Sequence, residues 1–438
     1  MRIRPARRIR GRVRLPGDKS ISHRAAIIAA LAKGRSTISN FATGADCATT
    51  VSCLTSLGVS FRQSDDALRV EGVGPRGLQP GNEVLDCGNS GSTMRMLAGV
   101  LAGQPFITTL SGDASLNSRP MNRVIEPLEM MGAKIHSRDA RPPLTISGSD
   151  HLKSIRYKLP VASAQVKSCI LFAALNAAGQ TEVSERLGAS RDHTERMLRW
   201  FGAPIAETID GEAQAITLNG LAHLSSRDVK VPGDPSSAAF LVAAAALTPG
   251  SDLIIEDVGL NPTRTKFLSV LQSLGARIDV VARGEESNEP VGMLRISGGM
   301  NSVSKSASQS DCHLLSGELI GQLIDELPLL AVVGTQTAGG IEIRNAHELR
   351  IKESDRIAAT VKNLRAMGVT VNEFEDGLKV TPGQLHGASI ESYGDHRIAM
   401  AFSIAALFAE GDSEIEDTKC VGVSFPGFFS LLESIVER

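Results

Sequence analysis

"DKSISHRAAIIAALAKGRSTISN" runs from Asp18 to Asn40 and contains the pattern that decides the fold. A polar turn is followed by a run of alanine and isoleucine, then by a glycine and a short β-branched segment. A helix that is apolar on nearly all sides is normally buried, and β-branched residues in a short run are typical of a strand. The stretch therefore predicts an interior helix that leads directly into a strand.

This pattern occurs six times, and a second helix closes each copy. The second helix, as in "ESDRIAATVKNLRAMG", is amphipathic, which predicts a solvent-facing position. The copies begin near residues 18, 88, 162, 234, 325 and 394. Their spacing of roughly 70–90 residues is too long for a solenoid repeat and fits a compact βαβαββ unit. We expect two groups of three units, with buried first helices inside and sheets outside.

The boundaries of the two groups follow from the repeats. The first group is predicted to span residues 15–228, and the second residues 1–14 plus 229–438. "RIRGRVRL" at residues 8–15 alternates arginine with apolar residues, which predicts a half-buried strand. We assign it to the second group, because the first repeat offers it no partner. The polar, serine-rich and glycine-rich stretch 281–321 predicts an expanded loop in that group.

The composition excludes several classes of protein. A net charge of −2 and an aromatic content of 4% argue against a nucleic acid or an anionic membrane surface as partner. The six cysteines show no CxxC spacing, and the histidines do not cluster, so we expect reduced thiols in a cytoplasmic protein and no metal site. No apolar run approaches the length of about 18 residues that a membrane-spanning helix requires.

Polar turns precede the predicted interior helices, and most of these turns carry or adjoin a cation. Free N–H groups and the positive end of the helix dipole lie at such a start, which favours anions. For any single turn, ordinary helix capping is the alternative. Because cations recur in a near-neutral chain, we predict one concentrated positive pocket for phosphates and carboxylates. These cations are Lys19, Arg24, Arg95, Arg119, Lys167, Arg191, Lys352, Arg356, His396 and Arg397.

Three carboxylates stand near these cations. Asp325 and Glu326 precede the apolar helix of the fifth repeat, and Glu353 lies between Lys352 and Arg356. A carboxylate beside a cation stays ionised, which suits a general base. The alternatives are a helix-capping role for Asp325 and a simple i,i+3 ion pair for Glu353.

Eight motifs, taken in order along nearly the whole chain, resemble those of the 5-enolpyruvylshikimate-3-phosphate synthase family. They are "LPGDKSISHRAAIIAALA", "LDCGNSGSTMRML", "NSRPMNRVIEPL", "LPVASAQVKS", "SRDHTERML", "IDELPLLA", "LRIKESDRI" and "GDHRIAMAF". The resemblance implies an α/β (α+β) fold, a two-lobed, inside-out, barrel-like arrangement of six βαβαββ repeats, three per lobe.

The resemblance also implies a reaction of the shikimate pathway. Phosphoenolpyruvate donates its enolpyruvyl group to the 5-hydroxyl of shikimate 3-phosphate, and phosphate leaves. No metal or organic cofactor, nucleic acid or membrane is implied, and we expect a cytoplasmic monomer.

Site residues are carried over by motif. Asp325, Glu353 and Lys19 are the expected catalytic residues, with Asp325 as the base for the 5-hydroxyl and Glu353 handling the proton at the methylene carbon. The expected phosphoenolpyruvate contacts are Lys19, Asn89, Gly91, Ser92, Arg119, Gln165, Arg356 and Arg397. The expected shikimate 3-phosphate contacts are Lys19, Ser20, Arg24, Ser163, Ala164, Gln165, Arg191, Asp325 and Lys352.

One departure and two alternatives qualify this interpretation. Val423 stands where many members carry a lysine, and Lys419 is nearby but shifted. A UDP-N-acetylglucosamine enolpyruvyl transferase would carry a reactive cysteine five residues before Arg119, but Ala114 occupies that position. A non-catalytic anion-binding protein of the same fold is the other alternative, and the retained residues argue against it: Asp325, Lys352, Glu353 and Lys19.

We predict ordinary inhibition by glyphosate. In tolerant variants an alanine can replace the glycine that corresponds to Gly91, and glycine leaves more room at this turn. An inhibition constant against phosphoenolpyruvate far above the Michaelis constant for that substrate would contradict this prediction.

Overall fold

The computed structural model describes residues 1–64, 67–81, 84–188, 190–300 and 312–438. Most of its helices and strands belong to six similar supersecondary units. The α-helices are α1 (Lys19–Leu31), α2 (Ala45–Ser56), α3 (Gly91–Ala102), α4 (Ala114–Asn117), α5 (Asn122–Met130), α6 (Ala164–Ala174), α7 (His193–Trp200), α8 (Pro235–Leu247), α9 (Lys266–Ser273), α10 (Glu318–Leu323), α11 (Leu327–Gly334), α12 (Arg356–Ala366), α13 (His396–Ala406) and α14 (Phe428–Ile435), with 3-10 helices at His347–Ile351 and Thr418–Val423.

The strands are short, and most alternate between buried and exposed residues. They are β1 (Arg2–Ile3), β2 (Arg8–Arg14), β3 (Lys33–Ser39), β4 (Ser60–Gln63), β5 (Ala67–Val73), β6 (Leu85–Asp86), β7 (Ile107–Ser111), β8 (Lys134–Arg138), β9 (Arg141–Ser147), β10 (Arg156–Lys158), β11 (Gln180–Arg186), β12 (Ile205–Asp210), β13 (Ala213–Asn219), β14 (Val229–Lys230), β15 (Asp252–Gly259), β16 (Arg277–Glu286), β17 (Glu289–Ser297), β18 (His313–Leu315), β19 (Ile341–Ile343), β20 (Val371–Phe374), β21 (Gly377–Val380), β22 (Ser389–Ile390), β23 (Ser413–Ile415) and β24 (Val436–Glu437).

In the described part of the chain, each sequence repeat contributes one sheet. The strand orders are β14-β3-β5-β4, β6-β7-β9-β8, β10-β11-β13-β12, β16-β17-β15-β2-β24, β18-β19-β21-β20 and β1-β23-β22. In the second, third, fifth and sixth repeats, the strand before the inner helix pairs in parallel with the strand after it. The repeat structure predicted from the sequence is therefore confirmed.

The first and fourth repeats exchange their leading strands. Strand β2 precedes α1, but it pairs in parallel with β15, which follows α8. Strand β14 precedes α8, but it pairs in parallel with β3, which follows α1. This exchange explains why the arginine-rich N-terminal strand lies in the sheet of the fourth repeat.

The first helix of every repeat is buried along almost its whole length. Helices α1, α3, α6, α8, α11 and α13 consist largely of alanine, glycine and aliphatic residues, and each of them is buried on nearly all sides. Second helices bury one face and leave the other exposed, as α5 and α9 illustrate. Both features agree with the expectation from their composition.

Contacts divide the chain into two compact units. One comprises Met1–Pro16, Pro232–Gly284 and Pro290–Arg438, and the other comprises Gly17–Val231 and Glu285–Glu289. The lobes 15–228 and 1–14 plus 229–438 stay a prediction. The pairing of β14 with β3 places Val229 and Lys230 in the sheet of the first repeat.

The expectation of a loop over 281–321 was wrong for its first part. Strands β16 and β17 form a hairpin there, and its turn residues Ser287 and Asn288 both have positive φ angles, of 52° and 64°. Two central residues with positive φ are typical of a two-residue hairpin turn. The polar side chains that suggested a loop lie on an exposed strand. Residues 301–311 of that stretch lie outside the described residues.

All six cysteines are free thiols, and Cys47, Cys53, Cys87 and Cys169 are buried.

None of the helices that the structure describes is long and apolar enough to cross a membrane.

The contact between α3 and α6 gives a test of inner-helix packing. A Cβ atom built on Gly99 would lie 2.0 Å from the carbonyl oxygen of Cys169. We expect Gly99→Ala to lower the free energy of unfolding by about 1–3 kcal/mol, because the backbones must move apart. Urea denaturation measures this. Gly383→Ala is the matched control, since a Cβ there meets nothing within 4 Å. Equal stability of the two variants would contradict this packing.

Candidate active site

Three inner helices of the Gly17–Val231 unit begin with a capped turn followed by predicted site residues. The side chains of Asp18, Ser90 and Ser163 accept hydrogen bonds from the first turns of α1, α3 and α6. Lys19 and Ser20, Gly91 and Ser92, and Ala164 and Gln165 come directly after these caps. Capping therefore does occur at these turns. Asp18 and Ser90 come directly before the predicted ligand contacts, whereas Ser163 is both a cap and a predicted contact for shikimate 3-phosphate.

A hydrogen-bonded network connects the starts of α3 and α6. Gln165 Nε2 donates to Ser92 Oγ at 2.8 Å, and Arg95 Nη1 donates to Gln165 Oε1 at 2.6 Å. Arg119 Nη2 donates to Asn89 Oδ1 at 3.0 Å. Four of the predicted phosphoenolpyruvate contacts are thus joined in two hydrogen-bonded pairs.

Gly91 lies beside two guanidinium groups. A Cβ atom at this position would lie 3.1 Å from Arg95 Nη1 and 3.5 Å from Arg119 Nη1. The first distance is tight and the second is an ordinary van der Waals contact, so a side chain here would crowd Arg95.

Other contacts connect the start of α1 with the segment before α7. Arg191 Nη1 donates to Ser20 Oγ at 3.1 Å. Arg24 is buried, and its guanidinium donates to Thr194 Oγ1 at 2.6 Å and Ser168 Oγ at 2.9 Å, which ties α1 to α7 and α6.

Lys19 forms an ion pair that the sequence did not reveal. Its Nζ lies 3.0 Å from Asp46 Oδ2, in the first turn of α2. The only sequence signal was an acidic residue in the first turn of a helix, which is common because it complements the helix dipole.

In the other unit, carboxylates surround Arg356. This side chain is 2% exposed, and it lies 2.8 Å from Asp395, 2.7 Å from Glu353 and 3.6 Å from Asp325. Burial lowers the pKa of a guanidinium, but Asp395 and the other carboxylates outweigh it, so that the pKa of Arg356 lies above its ordinary value. The i,i+3 ion pair of Glu353 is therefore present.

Asp325 lies between two guanidinium groups. Its carboxylate is 3.6 Å from Arg356 Nη1 and 4.0 Å from Arg397 Nη2. The helix-capping alternative for Asp325 was wrong, because the N-cap of α11 is Glu326, and it makes no side-chain capping bond.

The amine of Lys352 interacts with the carboxylate of Asp325. Burial lowers the pKa of Lys352, and the charge of Asp325 acts in the opposite direction. A lysine in this state gives up its proton more readily than an exposed one.

Ser236 connects Arg397 to a buried carboxylate. Arg397 Nη1 donates to Ser236 Oγ at 2.6 Å, and Ser236 donates to Glu326 Oε1. Burial raises the pKa of Glu326, and the charge of Arg397 opposes this shift. Ser236 belongs to "GDPSS", the turn that lacks a cation. Sequence reasoning missed Ser236 and Glu326 as partners of Arg397, since nothing in the chain order links residues so far apart.

The expectation that Lys167 belongs to a positive pocket was wrong. Its ammonium is buried between Glu185 and Glu195. Burial lowers the pKa of a lysine, but these two carboxylates outweigh it and leave the pKa of Lys167 above its ordinary value.

In the last repeat, Lys419 is exposed and Val423 is half-buried in the 3-10 helix Thr418–Val423.

Within residues 1–64, 67–81, 84–188, 190–300 and 312–438, no three His, Cys, Asp or Glu side chains are grouped to hold a metal ion.

Comparison with solved structures identifies the class of protein by its fold. EPSP synthase from Acinetobacter baumannii is 38% identical, with a TM-score of 0.85 over 99% of this chain and 98% of the other. The enolpyruvyl transferase NikO from Streptomyces tendae is 17% identical, with a TM-score of 0.77 over 99% and 96% of the two chains. The second likeness shows the shared fold alone. The chain thus has the fold of the enolpyruvyl transferases.

Sequence comparison identifies the family. The sequence model of the protein family EPSP synthase (3-phosphoshikimate 1-carboxyvinyltransferase) matches residues 3–432 of this chain. A 3-phosphoshikimate 1-carboxyvinyltransferase from Koribacter versatilis is 49% identical over 100% of this chain and 99% of its own length. One from Desulforamulus reducens is 46% identical over 99% of both chains. The chain belongs to the EPSP synthase family.

A buried histidine connects the starts of α1 and α3. His23 Nδ1 lies 2.7 Å from Thr50 Oγ1, and Thr50 Oγ1 lies 2.6 Å from Thr93 Oγ1, which donates to Ser90 Oγ at 2.8 Å. Burial lowers the pKa of His23 to about 3. His23 is therefore neutral in the folded protein.

This gives a prediction for the pH dependence of stability. An unfolded histidine has a pKa of about 6.5, so the stabilisation by neutral His23 is complete above that pH and is lost as the pH falls toward about 3. Between pH 6 and 4, the wild type should lose about 1.4 kcal/mol of unfolding free energy per pH unit more than His23→Asn does. Urea denaturation at several pH values measures the difference. Parallel curves for the two proteins would contradict the prediction.

Proposed function

We propose that this chain transfers the enolpyruvyl group of phosphoenolpyruvate to the 5-hydroxyl of shikimate 3-phosphate and releases phosphate. The observation that carries the proposal is the match of the EPSP synthase family model to residues 3–432. The motif residues expected for both substrates are all present within this range.

The reaction needs a base and an acid at different atoms. The 5-hydroxyl oxygen forms a bond to C2 of phosphoenolpyruvate and loses its proton, while C3 gains a proton, which gives a tetrahedral intermediate. Loss of a proton from C3 and cleavage of the C2–O bond to phosphate then give the product enol ether. A positioned acid or base of this kind contributes typically 10²–10⁴-fold to the rate.

Asp325 takes the proton of the 5-hydroxyl in this proposal. Its neighbours Arg356 and Arg397 favour the ionised carboxylate, which is the form that a base requires. Lys352 contacts the ring hydroxyls beside it.

Glu353 must first take up a proton; it then donates that proton to C3, and the carboxylate so formed, which Arg356 stabilises, later removes a proton from C3. Its ion pair with Arg356 fixes the carboxylate at 2.7 Å from a guanidinium that also binds phosphoenolpyruvate. The proton-transferring group and the substrate contact are thus held together.

The remaining cations hold the two anionic substrates. Arg119, Arg356, Arg397 and Lys19 bind the carboxylate and phosphate of phosphoenolpyruvate, since charge-assisted hydrogen bonds to such groups are strong. Asn89, Gly91 and Ser92 supply the turn beside it, and Gln165 contacts both substrates. The side chains for shikimate 3-phosphate are Lys19, Ser20, Arg24, Ser163, Gln165, Arg191, Asp325 and Lys352, with the backbone of Ala164.

We further propose a cytoplasmic monomer that needs no metal or organic cofactor. Every role assigned above is filled by residues of one chain. Acid–base chemistry and charge stabilisation by protein groups suffice for each step.

Release of phosphate tests the function directly. We expect release from phosphoenolpyruvate only when shikimate 3-phosphate is present, measured with a colorimetric phosphate assay. Release that depends on UDP-N-acetylglucosamine would favour the other transferase. Absence of turnover with either acceptor would favour an anion-binding protein.

Asp325→Asn tests the proposed base. Because the amide cannot accept the proton, we expect kcat to fall by about 10²–10⁴-fold. Calorimetry should still detect binding of shikimate 3-phosphate. Glu342→Gln, in strand β19 of the same repeat, is the control and should retain the wild-type kcat. Full turnover by Asp325→Asn would remove Asp325 from this role.

A further inference from the structure

A buried cluster of three ionisable side chains lies near the residues proposed to contact shikimate 3-phosphate. Lys167 Nζ is 2.5 Å from Glu185 Oε1 and 2.6 Å from Glu195 Oε1, and all three side chains are 1–2% exposed. Desolvation of such a cluster is costly, and well-packed apolar residues in its place are often equally or more stable. Stability alone therefore does not explain why this inner helix carries a charged residue.

The two carboxylates flank one segment of the chain. Glu185 lies near the end of β11, and Glu195 lies in the first turn of α7. The ammonium of Lys167 thus ties together both ends of the segment that connects β11 to α7. That segment carries Arg191.

A hydrogen bond connects the cluster to Ser190, the residue directly before Arg191. Ser190 Oγ donates to Glu185 Oε1 at 2.9 Å, so the cluster fixes the residue directly before Arg191. Arg191 in turn donates to Ser20 Oγ at the start of α1. The chain of contacts therefore runs from Lys167 through Glu185 and Ser190 to Arg191.

We propose that Lys167 is a positioning residue that holds Arg191 in place for the phosphate of shikimate 3-phosphate. This role rests on the proposed function, in which Arg191 contacts that substrate. A guanidinium binds phosphate well only when its planar donors are oriented. Lys167 itself does not touch the substrate.

The start of α7 has other anchors that are independent of the cluster. His193 Nδ1 lies 2.7 Å from Glu289 Oε1, and Thr194 Oγ1 accepts from Arg24. Removal of the cluster should therefore loosen the connection between β11 and α7, which carries Arg191, while α7 itself stays packed in place.

The test is the triple variant Lys167→Met, Glu185→Leu, Glu195→Leu. It removes the cluster without leaving an unpaired buried charge, which a single substitution would do. We expect the dissociation constant for shikimate 3-phosphate, measured by calorimetry, to rise about tenfold or more. The Michaelis constant for phosphoenolpyruvate, measured at saturating shikimate 3-phosphate, should be nearly unchanged.

Leu171→Ala is the matched control for loss of stability. Leu171 is fully buried four residues further along α6, and its truncation leaves a cavity in the same helix. This variant should bind shikimate 3-phosphate like the wild type. An equal loss of affinity in this control would mean that the effect of the triple variant reports general loosening, which would overturn the proposal.

A double-mutant cycle that combines the triple variant with Arg191→Ala measures the energetic coupling between the buried cluster and Arg191. In the Arg191→Ala background, the triple substitution should cause little further loss of affinity, because its effect passes through Arg191. An undiminished further loss, or wild-type affinity in the triple variant itself, would overturn the positioning role. If Arg191→Ala alone retained full affinity, the error would lie in the proposed function instead.

Discussion

Burial of the first helix in every repeat is the constraint on which the rest of the structure depends. Helix backbones approach so closely that Gly99 has no room for a side chain beside the carbonyl of Cys169. Such helices have no free side to present to solvent or ligand. Their first turns are the parts whose N–H groups have no partner within the helix backbone and that carry polar side chains. The fold therefore concentrates its chemistry at helix starts, and the predicted site residues Ser20, Ser92 and Gln165 all lie there.

Cationic side chains at or near these helix starts pair with carboxylates, and the paired carboxylate fixes the position of each cation. Arg356 lies against Asp395 and Glu353, and Lys19 against Asp46. Such pairing offsets desolvation and fixes the geometry of a long side chain. It also explains how a chain with a net charge of −2 can carry many buried cations. Local pairing, rather than overall charge, fixes the position of each of these groups.

The sequence predicted the repeats and the inner helices well, because alanine-rich runs leave few alternatives to burial. It predicted the strand at residues 8–15 from its alternation, although the structure ends β2 at Arg14. It failed at Lys167, which follows a helix start just as Arg95 does, since spacing along one helix cannot reveal that two glutamates approach from β11 and α7. It also failed over 281–297, where the structure has the hairpin of β16 and β17, because the polar side chains of the exposed strand β16 have the composition of a loop. For Lys167 the missing information was a contact between residues distant in sequence.

The turn at 233–237 shows why a repeated fold need not repeat its charges. Asp234 caps α8 and pairs with Arg264 at 3.1 Å, and Ser236 accepts from Arg397. Pro235 stands at the position that Lys19 occupies in the first repeat, so this turn brings no cation of its own. The hydroxyl of Ser236, which corresponds to Ser20, accepts from Arg397 and donates to Glu326, and it thereby orients the guanidinium. The turn without a cation thus fixes a cation supplied by the last repeat.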